Sequence, residues 1–313
     1  VLMTAGSITA AWGMTLALRE RDLKRILAWS TVATLGTLTM LIGIQGPAAT
    51  VAVAALLLAH ALYKAPLFFV AGNIDHGTGT RIIDKLGRLR HAMPWTALVA
   101  VLAGMSMAGL PLSFGYVVKD VISEVKSADN VLAFASAANT LFGAIALAVA
   151  GVAAIRVFWR HPGINITPPD AHEGNVAMVV PPLALAVIGI LLGLMPSYAT
   201  PLVSAAAQAM AGIPLDASTQ LVTNWGHALS AVGTALVAGA LVFWFWDPLH
   251  RFMSRFDKPL NTLGMVANYE RMLKAIPATA AAITRSLQHG EQPGYLAMAV
   301  GFCTVLLLGV LGA

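Results

Sequence analysis

Long apolar runs alternate with short polar stretches along this chain. Eight runs stand out, at residues 1–18, 26–45, 49–72, 94–118, 131–158, 177–198, 223–246 and 294–313. About 20 apolar residues cross a hydrocarbon layer about 30 Å thick, and each run is near that length. The pattern predicts an all-α, polytopic membrane helix bundle of about eight transmembrane helices. Prolines inside two runs predict broken helices near Pro66 and Pro111, because proline removes one helix hydrogen bond and clashes with the preceding turn. The region 247–292 differs in kind. It is long, polar and basic, and Leu263, Val266, Tyr269, Leu273, Ile276, Ala280, Ile283 and Leu287 recur in it at spacings of three and four. That stripe predicts an amphipathic surface helix near 260–290, with Glu270, Arg271, Lys274 and Arg285 off the stripe. Pro277 is expected to kink or split it.

Composition agrees with a membrane solvent. The 313 residues are 58% hydrophobic and only 11% charged, with a mean hydropathy of +0.77, whereas soluble domains carry about 25% charged residues. The sole cysteine, Cys303, excludes an intrachain disulfide. The chain begins at Val1 without a methionine, which reads as the interior of a longer gene product.

Charge sorts the loops. Arg19, Arg21, Lys24 and Arg25 join the first two runs, and Arg81, Lys85, Arg88 and Arg90 join the third and fourth. Arg156 and Arg160 close the fifth, and Arg251, Arg255, Lys258, Arg271, Lys274 and Arg285 follow the seventh. These alternate loops share one side, which the positive-inside rule makes cytoplasmic. The net charge of +5 is thereby explained without nucleic acid. All but three of the 19 lysines and arginines are accounted for in this way. Lys126 falls in a polar opposite-side loop with Glu124 and Asp129, while Lys64 and Lys119 lie in or at the end of apolar runs.

Those two lysines are the candidate chemistry. His60 and Lys64 are four apart and share a helix face. A lysine in hydrocarbon is costly unless it faces water, a partner or the bundle interior, and histidine exchanges protons near neutral pH. The pair is a step in a proton relay or, alternatively, a lysine snorkelling to a headgroup. In GLPLSFGYVVKD, Gly109 and Pro111 interrupt a helix that carries Lys119, with Asp120 beside it. Ser30 and Thr34 share a face of the second segment and either pass protons or bond the preceding turn. His161, Asp170, His172 and Glu173 match no metal-ligand spacing and read as a solvated loop. No phosphate-binding glycine loop, nucleophile elbow or paired-carboxylate site appears, so neither cofactor nor metal is expected.

Three motifs carry a resemblance. Asp22 to Thr31, DLKRILAWST, resembles the DLKRxLAYST motif of the proton-translocating antiporter-like family, with Trp29 at the usual tyrosine. That family includes the large membrane subunits of complex I and the Mrp-type sodium/proton antiporters. His60 to Phe68, HALYKAPLF, resembles its HAxFKAxLF helix, and Gly109 to Asp120 resembles GxPxxxGFxSK[DE]. DHGTGTR at Asp75 to Arg81, and Ser286 to Gly290 with Tyr295, resemble the large A-type subunits of Mrp antiporters in particular. Leu56 stands where complex I relatives often carry another histidine, and Trp225-Gly226-His227 departs from a Trp-His-Gly order, so His227 receives no role.

The resemblance implies a proton relay of Lys64, His60 and Lys119. Accessory positions are Lys24, Asp22, Ser30, Thr34 and Asp120. It implies residues 1–246 as the C-terminal half of an antiporter-like proton-conducting domain plus a following helix, 247–292 as a cytoplasmic lateral helix region and 293–313 as a late transmembrane helix. The family's earlier glutamate–lysine pair and its late helices are expected outside this chain. The implied activity is sodium/proton exchange by a secondary transporter subunit in the cell membrane, without enzymatic chemistry. Its partners are other membrane subunits, the transported Na+ and H+, and the lipid bilayer. Two rivals stay open: a proton-pumping subunit of complex I or a membrane-bound hydrogenase, and a non-conducting structural subunit.

Overall fold

A computed structural model of the chain describes residues 1–128, 133–159, 167–221, 225–255, 265–287 and 292–311. Asp129, Arg160, His161, Lys258, Leu263 and Gln288 to Gly290 lie outside the described residues, as do the side chains of Lys126 and His227. The chain divides into two compact units, Val1–Arg251 and Phe252–Ala313.

The first unit is helical throughout its core. It contains α1 (Leu2–Arg19), α2 (Leu23–Ile42), α3 (Pro47–Thr78), α4 (Pro94–Ala108) and α5 (Phe114–Ala128). Next come α6 (Ala133–Gly151), a π-helical turn (Val152–Arg156), α7 (Val176–Leu194), α8 (Thr200–Ala211), α9 (Trp225–Trp244) and the start of α10 (Trp246–Ser254). The second unit holds α11 (Met265–Leu287) and α12 (Gln292–Leu311). Each of the eight apolar runs is helical, with α4 and α5 dividing the fourth between them. Among the described residues, Leu23–Ile42, Pro47–Thr78, Val176–Leu194 and Gln292–Leu311 are each long and apolar enough to cross a membrane. The short helix α8 was not expected.

Local chemistry sets the ends. Asp22 caps α2, accepting hydrogen bonds from the backbone N–H groups of Lys24 and Arg25, and Pro47 and Pro94 occupy the first positions of α3 and α4, where their missing N–H is harmless. Gly109 ends α4 at φ +68°, with Leu110 N–H donating back to Met105 O at 2.9 Å. That left-handed residue and long return bond form a C-terminal cap that favours glycine.

Helices α1 and α2 pack unusually closely. A Cβ at Gly6 would lie 2.3 Å from Met40 N, and one at Gly36 2.5 Å from Ala10 N. Backbones meet here because the side chains are absent, the small-residue contact that apolar helices use when lipid competes equally for larger ones.

Sequence expectations fail at Pro66 and in the opposite-side loop. Helix α3 runs unbroken through Pro66 from Pro47 to Thr78, about 48 Å at 1.5 Å per residue. Proline removes one bond from the ladder, but α3 is packed by α2, α4, α5, α7 and α8, and those contacts hold the remaining turns in line. Pro277 likewise lies inside α11 without splitting it. The opposite-side loop is also shorter than expected, since α5 extends to Ala128 and takes in Glu124 and Lys126. The break near Pro111 is present between α4 and α5. In the second unit, Tyr269, Leu273, Ile276 and Ile283 of α11 are all exposed, an apolar stripe of the expected register.

Candidate functional site

Lys64 lies in the second half of α3 and is buried, at 4% exposure. Its ammonium donates to Leu27 O at 3.1 Å and to Ser30 Oγ, both on α2. Among the described residues it has no carboxylate partner. Ser30 also donates to Leu27 O at 2.8 Å, and Thr34 donates to Ser30 O at 3.1 Å. Both hydroxyls therefore bond the preceding turn, and Ser30 additionally receives the lysine. His60, one turn before Lys64, places Nδ1 3.3 Å from the Tyr63 hydroxyl, with the two rings edge to face at 5.4 Å. The Tyr63 hydroxyl also meets the Thr34 side chain.

The second lysine is held by the helix break. Lys119 of α5 donates to Ala108 O, the last residue of α4, at 2.6 Å. A cation there satisfies one of the orphan carbonyls at a helix C-terminus and complements its dipole. The break is shaped to receive it. A Cβ at Gly109 would sit 2.4 Å from Lys119 Cδ. Leu112 is forced to φ +73°, and Gly193 of α7 lets the backbone at Ser113 approach within 2.2 Å of where a Cβ would stand.

A cavity of about 320 Å³ is lined by Lys119, Tyr63 and Thr34 among these groups. Lys119, Asp120, Ser123, Thr34, Thr37 and Tyr63 supply its polar wall, and Met14, Leu56 and Phe142 are among its apolar lining. Lys64 and His60 do not line it. The structure thus brings Lys119, Asp120 and Thr34 to one space, and it ties Lys64 to Ser30 and His60 to Tyr63 at its edge. Such a space is wide enough for several waters, and hydroxyl, amine and carboxylate groups on one wall can hand protons along them.

The remaining candidates serve elsewhere. Lys24 is exposed and away from the cavity. Asp22, besides capping α2, accepts from Arg81 Nε at 2.6 Å, and Arg81 Nη1 reaches Asp75 at 3.2 Å. Hydrogen bonding and charge from Asp22, then from Asp75, hold the Arg81 guanidinium more firmly protonated than usual. The DLKR and DHGTGTR motifs are therefore parts of one clamp between the start of α2 and the end of α3. Glu173 is no ligand: it caps α4, accepting from Trp95 N–H at 2.9 Å, Thr96 N–H at 3.2 Å and the Thr96 hydroxyl. Among the described residues no group of three or more metal-ligating side chains forms.

Sequence reasoning missed Tyr63 and an ionic latch. Arg156, 1% exposed, contacts Asp84 at 3.2 Å and Asp247 at 2.9 Å, while Arg21 contacts the same two carboxylates at 2.8 and 2.9 Å. The four residues come from the α1–α2 loop, the α3–α4 loop, the π-helical turn and α10. These are the segments whose charges put them on one side, so the ion pairs bring the basic ends of the bundle together. Burial raises the Asp247 carboxyl, but hydrogen bonds from Arg156 and Arg21 outweigh it and hold the group below its ordinary value. The signal in the sequence was Asp84 and Asp247, acidic groups among the arginines and lysines of basic loops.

The transmembrane family described as NADH:quinone oxidoreductase/Mrp antiporter matches residues 1–156. That match spans just under half of the chain. Over 97% of its length the chain aligns at 30% identity with the A subunit of the Na(+)/H(+) antiporter of Alkalihalophilus pseudofirmus, covering 41% of that protein. Over 37% of its length it is 44% identical to the A/B subunit of a probable K(+)/H(+) antiporter of Rhizobium meliloti, covering 12% of it. In the structure of the Mrp complex from Dietzia sp. DQ12-45-1b, one chain matches all of this one at 28% identity with a TM-score of 0.80; 34% of that chain is covered. A chain of an archaeal membrane-bound sulfane sulfur reductase shares the fold, at 19% identity and a TM-score of 0.68. The chain spans 41% or less of the length of these two curated relatives.

Proposed function

We propose that this chain is a proton-conducting part of the large membrane subunit of a multisubunit cation/proton antiporter, a secondary transporter and not an enzyme. Protons pass through Lys64, His60 and Lys119, with Ser30, Thr34 and Asp120 beside them, and Na+ is the exchanged cation. The basic loops face the cytoplasm, and other membrane subunits complete the complex. Residues 1–246 form the conducting half, 247–292 lie along the cytoplasmic surface, and 293–313 cross the membrane.

The observation that carries this reading is the pairing of two lysines with neutral partners. Lys64 meets a carbonyl and a hydroxyl, and its burial is nearly complete. Removing one partner of a buried ion pair leaves an uncompensated charge costing several kcal/mol, so a lysine kept for stability would sit beside a carboxylate. One with neutral partners can lose its proton without stranding an anion. Lys119 is held by a helix-end carbonyl on a cavity wall, a second such position.

The test is sodium-induced collapse of a proton gradient in everted vesicles carrying the assembled complex. Lys64→Ala should abolish the collapse while the subunits still co-purify. Undiminished exchange by that variant would remove Lys64 from the path.

A further inference from the structure

His60, like Lys64, has no opening to the cavity. It does not line that space, yet its Nδ1 lies 3.3 Å from the Tyr63 hydroxyl. The same hydroxyl meets Thr34, and Tyr63 and Thr34 both line the cavity that holds Lys119. The phenol therefore stands between the imidazole and the cavity.

A ring alone would fill this place. The motif that the helix resembles carries phenylalanine where this chain has Tyr63, so the added group is one hydroxyl. Tyr63 is 7% exposed, and a buried hydroxyl is costly to leave without a hydrogen-bond partner. Here it lies within hydrogen-bond distance of a titratable ring and beside a cavity-lining threonine. It has one proton and two partners, an arrangement that can pass a proton by rotation about a single C–O bond.

We propose that Tyr63 is a relay residue that passes protons between the Lys119 cavity and His60, with Thr34 as its cavity-side contact. The proposal rests on the proton-conducting reading above. In the transfer, His60 is the tautomer with its proton on Nε2, and the Nδ1 lone pair takes the phenolic proton. The Oη–H bond breaks as Nδ1–H forms. A proton from a protonated water in the cavity then re-forms Oη–H, so Tyr63 ends neutral and His60 carries the charge. No electrons change hands.

The experiment uses everted vesicles bearing the assembled complex and compares Tyr63→Phe, His60→Ala, the double variant and Lys119→Ala. Tyr63→Phe keeps the ring and its packing. It should slow sodium-induced proton exchange about tenfold or more, since losing a positioned proton-transfer group typically costs a factor of about 100 or more. In the His60→Ala background it should slow exchange no further, because groups acting as one unit are non-additive. Wild-type exchange by Tyr63→Phe overturns the proposal. So does an undiminished Tyr63→Phe effect when His60 is already alanine, or full exchange by His60→Ala. If Lys119→Ala is inactive while Tyr63→Phe is unimpaired, only this proposal falls. If Lys119→Ala exchanges fully, the conducting role assigned to Lys119 falls.

Discussion

Replacing Gly109 by alanine separates stability from placement of the Lys119 amine. Gly109 has φ +68°, where an alanine is strained by about 1–2 kcal/mol. Its new Cβ would lie 2.4 Å from Lys119 Cδ and 2.8 Å from Nζ, so the lysine must swing away by about an ångström or more. That movement breaks the 2.6 Å bond to Ala108 O, a charged hydrogen bond worth about 1.5–3 kcal/mol. Folding therefore loses part of that bond as well as the backbone strain, less whatever the displaced amine regains from new partners. Gly212 is the control: its φ is +69° and nothing lies within 4 Å of its missing Cβ. Gly212→Ala carries the same strain and leaves the lysine alone. Both variants should lower the melting temperature of the purified complex, Gly109→Ala by more. Only Gly109→Ala should slow sodium-induced proton exchange, by about 10-fold to 100-fold at about 1.4 kcal/mol per factor of ten. Equal exchange rates for the two variants would refute the argument that the helix break exists to place Lys119.

Four further outcomes follow from the packing and the charges. Gly36→Ala puts a Cβ 2.5 Å from Ala10 N and should destabilise the α1–α2 pair by about 1–3 kcal/mol, read as a lower melting temperature. By contrast, Gly72→Ala, with open space at its Cβ, should leave the melting temperature unchanged or raise it, since alanine suits a helix interior better. Asp22→Ala removes the α2 cap and the Arg81 contact and should cost about 1–2 kcal/mol, whereas Asp22→Asn should recover part of that in a thermal melt. The Asp247 carboxyl, raised by burial but held below its ordinary 3.8 by Arg156 and Arg21, contributes stability that is present above that value and lost as pH falls through its lower folded-state value. Melting of the wild type should therefore drop on acidification below about pH 4 by more than that of Asp247→Asn, and parallel curves would contradict the latch.

Much of this was legible in one dimension. Each of the eight apolar runs became helical, the fourth as two helices, because length and hydropathy largely decide what a bilayer accepts. That these loops share one end could be read because arginine and lysine are placed by topology. The helix break at Gly109 was visible since a left-handed residue favours glycine and a nearby proline cannot continue the helix. Pro66 misled for the same reason in reverse: its local penalty is real, and packing around α3 overrides it. Pairwise geometry was not legible. Ser30 looked like a residue bonding its own turn, and it does so while also holding Lys64 from 34 positions away. Tyr63 sat unnoticed inside a recognised motif because its hydroxyl gains meaning only when α2 brings Thr34 against it. Arg156 read as a loop charge, and only the fold shows it buried between two aspartates from distant segments.

The most direct test of the account concerns Lys119, the lysine that faces the cavity. Everted vesicles carrying the assembled complex, prepared from cells without other antiporters, are acidified inside and pulsed with sodium. Wild-type complex should collapse the gradient, and Lys119→Ala should not, with the same subunits recovered on purification. Full collapse by Lys119→Ala would contradict the claim that protons cross this protein by way of that amine.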